Sequence, residues 1–116
     1  MPNFRILAVI AVAFAAPSAA SYGAASTSAG QVSVDQIMQM LERSPSDPIA
    51  GQVALAYFAG VGETAAMIVE ISDLRCRSPL GLDRDSILAA LAGADGAVRA
   101  TPIIVRDMFR RAGCGR

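Results

Sequence analysis

The stretch from Pro48 to Ser72 constrains this chain most. Its only charged or amide side chains are Gln52, Glu63 and Glu70, spaced 11 and 7 residues apart. At about 100° per residue those three fall within about 20° of one another, as on one narrow face of a helix. Almost everything else in the stretch is apolar or Gly. A helix with so thin a wet stripe calls for neighbours that cover the rest, so it reads as the central element of a helical domain. Gly51, Gly60 and Gly62 each cost about 1 kcal/mol relative to Ala in a helix interior. Close backbone approach by another helix would offset that cost, and a break near Gly60–Gly62 is the competing reading.

Three shorter helices surround this one in the sequence. Ser33-Val34-Asp35-Gln36 forms a capping box, in which Gln36 reaches back to the cap. Val34, Ile37, Met38 and Leu41 follow at helical spacing until Ser44–Asp47 ends the element. Asp47-Pro48 starts the long helix, with a cap acceptor followed by Pro at the first helical position. A third helix begins near Asp83 with Ile87, Leu88 and Leu91 on one face, and Asp83 and Asp85 suit the positive end of its dipole. Thr101-Pro102 repeats the cap-then-Pro signal for a fourth, which carries Ile104, Val105, Met108, Phe109 and Ala112 as an apolar stripe. Gly113 suits the residue that closes it. No segment shows period-2 alternation. The expected fold is all-α, a small four-helix bundle over residues 33–116 with a long central helix.

The first residues carry an address. Arg5 precedes Ile6–Ala16, an unbroken apolar run of eleven residues that Pro17 ends. This is the order of a secretory signal peptide, and the run is well short of the ~20 apolar residues of a spanning helix. Cleavage after Ala20 or after Ala25 fits the small-x-small rule, so residues 1–25 read as signal and 26–32 as a flexible lead-in. The expected location is the periplasm, with no membrane attachment once the signal is cleaved. In that oxidising compartment Cys76 and Cys114 pair by default, closing a loop of 38 residues. The chain-entropy model gives roughly 4 kcal/mol for such a loop. A redox-active pair is the rival reading, but a Cys-x-x-Cys spacing is missing.

The inventory for chemistry is thin. Ten Arg balance ten acidic residues, which disfavours a nucleic-acid binder, and the chain has no His. Gly60-Val61-Gly62 lacks the third Gly of a phosphate loop and reads better as packing glycine. Arg106, Arg110 and Arg111 form a basic stripe, with Asp107 placed to pair the last two, which reads as a solvated face or a partner contact. No nucleophile–base pair or ligand set stands out. The expectation is no catalysis, no metal and no cofactor.

The order of these features resembles the Rap/Tai immunity proteins. Ala56-Tyr57-Phe58-Ala59-Gly60-Val61 is similar to the small-Tyr-aliphatic-x-Gly pattern of that family. Cys76-Arg77-Ser78-Pro79-Leu80-Gly81-Leu82 before a helix, and a last amphipathic helix ending in Cys114, are similar to its later segments. The resemblance runs from Val34 to Cys114 and marks Tyr57 and Gly60 as motif residues. It implies a small helical periplasmic protein that binds a type VI secretion effector, a peptidoglycan amidase, as a dimer and places a loop in its groove. The candidate loops are Ser78–Leu82 and Gly93–Arg99, both punctuated by Gly or Pro. The second carries Asp95 and Arg99, suited to charge-assisted contacts. A homodimer is expected on a separate ground: three short helices cover too little of the long one, and an apolar remainder marks an interface. The alternative class is a periplasmic chaperone similar to the Hde acid-stress proteins, which are also small, helical and tied by one disulfide.

Overall fold

A computed structural model describes residues 31–116; the segment expected to be a signal peptide, and most of the expected lead-in, lie outside the described residues. Four helices follow in order: α1 (Val34–Arg43), α2 (Pro48–Ile71), α3 (Arg84–Leu91) and α4 (Ala100–Ala112). Two isolated antiparallel bridges, Ser33 with Arg99 and Arg75 with Gly115, are the only β pairing among the described residues. The fold is a small all-α bundle. α2 packs on α1 and α4, while α3 packs on α4 and α1. The core joins Val34, Ile37, Met40 and Leu41 of α1 to Ala54, Val61 and Ala65 of α2, Ile87 and Leu91 of α3, and Ile104, Val105 and Met108 of α4.

Local chemistry sets most of the helix ends. The Ser33 hydroxyl accepts from the Gln36 N–H at 3.1 Å, and the Ser33 N–H donates to Gln36 Oε1 at 2.9 Å, completing the capping box. Asp47 accepts from the N–H groups of Ile49 and Ala50. Asp83 accepts from the Ser86 N–H at 2.8 Å, which holds its carboxyl below the usual range together with the Ser86 hydroxyl and the Arg111 charge. Gly113 closes α4 at φ 67°. The Gly113 and Cys114 N–H groups return to the carbonyls of Arg110 and Phe109, the Schellman arrangement that a left-handed glycine permits.

Two expectations change in three dimensions. The start of α4 is Ala100, with Arg99 at the cap position and no side-chain cap, rather than Thr101-Pro102. The Ala100 N–H instead donates to the Val32 carbonyl at 3.0 Å, and Pro102 has no N–H to satisfy. The Thr101 hydroxyl is engaged elsewhere, 2.6 Å from the Tyr57 hydroxyl on α2. The cover over α2 also differs. This helix runs unbroken through Gly60–Gly62 but buries only Ala50, Ala54, Val61 and Ala65. Gln52, Glu63 and Glu70 lie on its exposed side, opposite that buried set, as their spacing demands. A Cβ at Gly60 or at Gly62 would meet nothing within 4 Å, so within the chain neither is a packing glycine.

The disulfide Cys76–Cys114 is formed. Backbone bonds flank it: Arg75 and Gly115 exchange N–H···O pairs at 2.7 and 2.9 Å, and the Ala112 carbonyl accepts from Arg77 and Ser78. The end of α4 is therefore fixed to the segment after α2 by covalent and hydrogen bonds together.

Candidate functional site

The loop Gly93–Arg99 is stapled to the first turn of α1. Its Gly96 and Val98 carbonyls accept from the Asp35 and Val34 N–H groups at 3.0 and 2.9 Å, donors that a helix start leaves without intrahelical partners. Asp95 turns inward on its own loop, where Oδ1 accepts from the Ala97 N–H at 2.9 Å. A Cβ at Gly96 would displace the exposed Asp35 carboxylate. The other candidate loop, Ser78–Leu82, is held by Arg111, whose guanidinium donates to the Gly81 carbonyl at 2.8 Å. Neither loop hangs free of the bundle.

Arg111 belongs to a small ion cluster. Asp107 is buried and accepts from Arg111 Nε at 2.7 Å and from Arg110. Burial pushes its pKa up, but the hydrogen bonds and charges of the two guanidiniums outweigh that and hold it low. Two of the three arginines of the basic stripe are thus tied to a buried acid. Arg106 is exposed and lies outside that cluster.

Arg106 lines a groove together with Arg99. This groove of about 450 Å³ runs between α2 and α4, with Thr64 and Ile68 on one wall, Thr101, Pro102, Val105 and Phe109 on the other, and Val32 at its end. Its lining is mostly apolar, and both arginines are exposed at its rim. A second groove of about 360 Å³ lies between α1 and α2, lined by Val32, Gln36, Ile37, Met40, Val53 and Tyr57. Tyr57 is half-buried against Phe58 in an edge-to-face pair, ring centroids 5.4 Å apart. Burial raises the pKa of its hydroxyl against the opposing effect of the Thr101 hydrogen bond.

The structure separates the two loop residues chosen from sequence. Arg99 stands at the groove with Arg106, while Asp95 is committed to its turn. Of the motif residues, Tyr57 ties α2 to α4 through Thr101, whereas Gly60 sits on the outside of α2. Arg84 was not singled out by the sequence pattern, yet its guanidinium donates to the Leu41 carbonyl at 2.8 Å and so caps the end of α1. Among the described residues no group of three metal-ligating side chains comes together. No family model, curated protein or solved structure matches the chain. What fold and site define is a disulfide-tied helical scaffold bearing a shallow apolar groove with a cationic rim.

Proposed function

We propose that this chain is an exported, non-catalytic immunity protein that binds and inhibits a cell-wall amidase delivered by type VI secretion. The observation that carries the reading is the groove between α2 and α4, where two exposed guanidiniums flank an apolar floor. An apolar floor supplies affinity, and fork-shaped donors beside it select carboxylates or carbonyls on a protein surface. The stapled loop adds preorganisation, because Arg99 is presented from backbone already fixed to α1. The sequence resemblance supplies the class of partner, and the signal-like N-terminus supplies the compartment.

The test is co-expression in a bacterium that sends to its periplasm any exported hydrolase encoded beside this gene. Wild-type protein should restore growth. A chain carrying both Arg99→Glu and Arg106→Glu should fold with an unchanged helical spectrum and fail to protect. Protection by that variant, or tolerance of the hydrolase without the protein, overturns the reading. The open apolar face of α2 favours the acid-stress chaperone as a second reading. Loss of viability on acid shock, with no change in sensitivity to the hydrolase, would establish that instead.

A further inference from the structure

The uncovered side of α2 has an internal symmetry. Ile49, Val53, Ala56, Gly60, Thr64, Met67 and Ile71 follow one another at steps of 4, 3, 4, 4, 3 and 4 residues. At about 100° per residue they form a stripe about 80° wide, and the 11-residue recurrence of Ile49, Gly60 and Ile71 matches a nearly straight helix. The stripe reads the same in both directions about Gly60. Ile49 and Ile71 are equidistant from it, as are Val53 and Met67, and Ala56 and Thr64. Long side chains stand at both ends and small ones in the middle. None of the four long residues is covered within the chain: Ile49 is 69% exposed, Val53 48%, Met67 52% and Ile71 74%.

We propose that α2 pairs with α2 of a second copy of this chain, antiparallel, about a two-fold axis that passes Gly60. In that pairing each Ile49 meets the partner's Ile71 and each Val53 the partner's Met67. The small residues let the backbones approach closest at the centre, where a Cβ at Gly60 would find open space in the single chain. The area suffices. On residues of roughly 160–200 Å² those exposures leave about 450 Å² per copy, and with the central small residues two copies bring together about 1,100 Å², past the ~1,000 Å² of a specific interface. Antiparallel helix dipoles also attract.

Lipid fits the same face less well. By length and composition α2 could cross a membrane. However, Glu63 and Glu70 border the stripe, and a carboxylate carried into hydrocarbon costs on the order of 3 kcal/mol. At the rim of a protein pair both remain in water. The pairing has a consequence for the groove between α2 and α4: the partner's Ala56 comes beside Thr64 and the partner's Val53 one turn further on, extending its wall. The proposal does not depend on the immunity reading, because it is read by association alone.

The experiment uses protein recovered from the periplasm of cells expressing the full-length gene. Sedimentation should show twice the protomer mass at micromolar concentration, and Met67→Glu should raise the dissociation constant at least about tenfold with the helical spectrum unchanged. Gly60→Leu, which fills the crossing point, should do the same, while Leu55→Glu on the opposite flank should leave the pair intact. Under mild oxidation Gly60→Cys should link to its own copy with the Cys76–Cys114 peptide preserved, and Leu55→Cys should not. Protomer mass alone at the highest concentration overturns the proposal. So does a pair that survives Met67→Glu and Gly60→Leu, linking through position 55 in place of 60, or flotation of the wild type with phosphatidylethanolamine–phosphatidylglycerol vesicles that Met67→Glu abolishes.

Discussion

Replacing Gly62 by Ala tests whether α2 is covered there. Gly62 lies in mid-helix, and a Cβ built on it meets nothing within 4 Å. With no steric cost, the intrinsic preference decides the sign: Ala is favoured over Gly in a helix interior by about 0.8–1.0 kcal/mol, partly through the lower entropy of its unfolded chain. For a domain of this size 1 kcal/mol moves the melting temperature by about 4–8 °C, so Gly62→Ala should melt that much higher. Far-UV ellipticity against temperature, with urea titration as a second measure, reads the shift. Two comparisons sharpen it. Gly60→Ala gains the same in dilute protein, and part of the gain disappears with rising concentration as the added methyl enters the paired seam. Gly96→Ala gains nothing, because its methyl must displace the Asp35 carboxylate. A lower melting temperature for Gly62→Ala refutes the reasoning, since a helix or loop must then lie against that position.

Further outcomes follow from the helix ends and the ion cluster. Asp73 closes α2 at φ 53°, with the Leu74 N–H returning to the Val69 carbonyl, a left-handed position where Gly is better suited. Asp73→Gly should therefore stabilise by about 0.5–1 kcal/mol in urea titration, helped by removal of a negative charge from a helix C-terminus. Intact mass should change by two hydrogens on reduction, and Cys76→Ala with Cys114→Ala should lower stability by about 2–4 kcal/mol. Asp107 has a native pKa below its unfolded value, so its contribution is complete above the ordinary carboxylate range and is lost as pH falls through the depressed native value. Asp107→Asn should cost about 1.5–3 kcal/mol at neutral pH and flatten the acid limb of the stability profile, measured by urea titration across pH.

Sequence determined what depends on a few neighbouring residues or on period alone. Ser33 and Asp47 cap helices because a side-chain oxygen reaches an N–H only two or three residues on, so the signal is local and legible. Asp83, which the sequence offers as a first-turn acid, caps α3 from just outside it. The alignment of Gln52, Glu63 and Glu70 is a property of helical period, and it placed the wet side of α2 correctly. The pairing of Cys76 with Cys114 needed only a count of two and the expectation of an oxidising compartment. Tertiary structure decided the rest. α4 starts one residue before Thr101 because the Val32 carbonyl, far away in sequence, takes the first donor and Tyr57 takes the threonine hydroxyl. Gly60 and Gly62 look like packing glycines in sequence, but whether a neighbour approaches depends on where α1 and α4 lie, and they lie on the other side. The groove joins Thr64 and Ile68 to Arg99 and Arg106, more than thirty residues apart. No local preference encodes such a meeting, because it exists only after the core has set the spacing between helices.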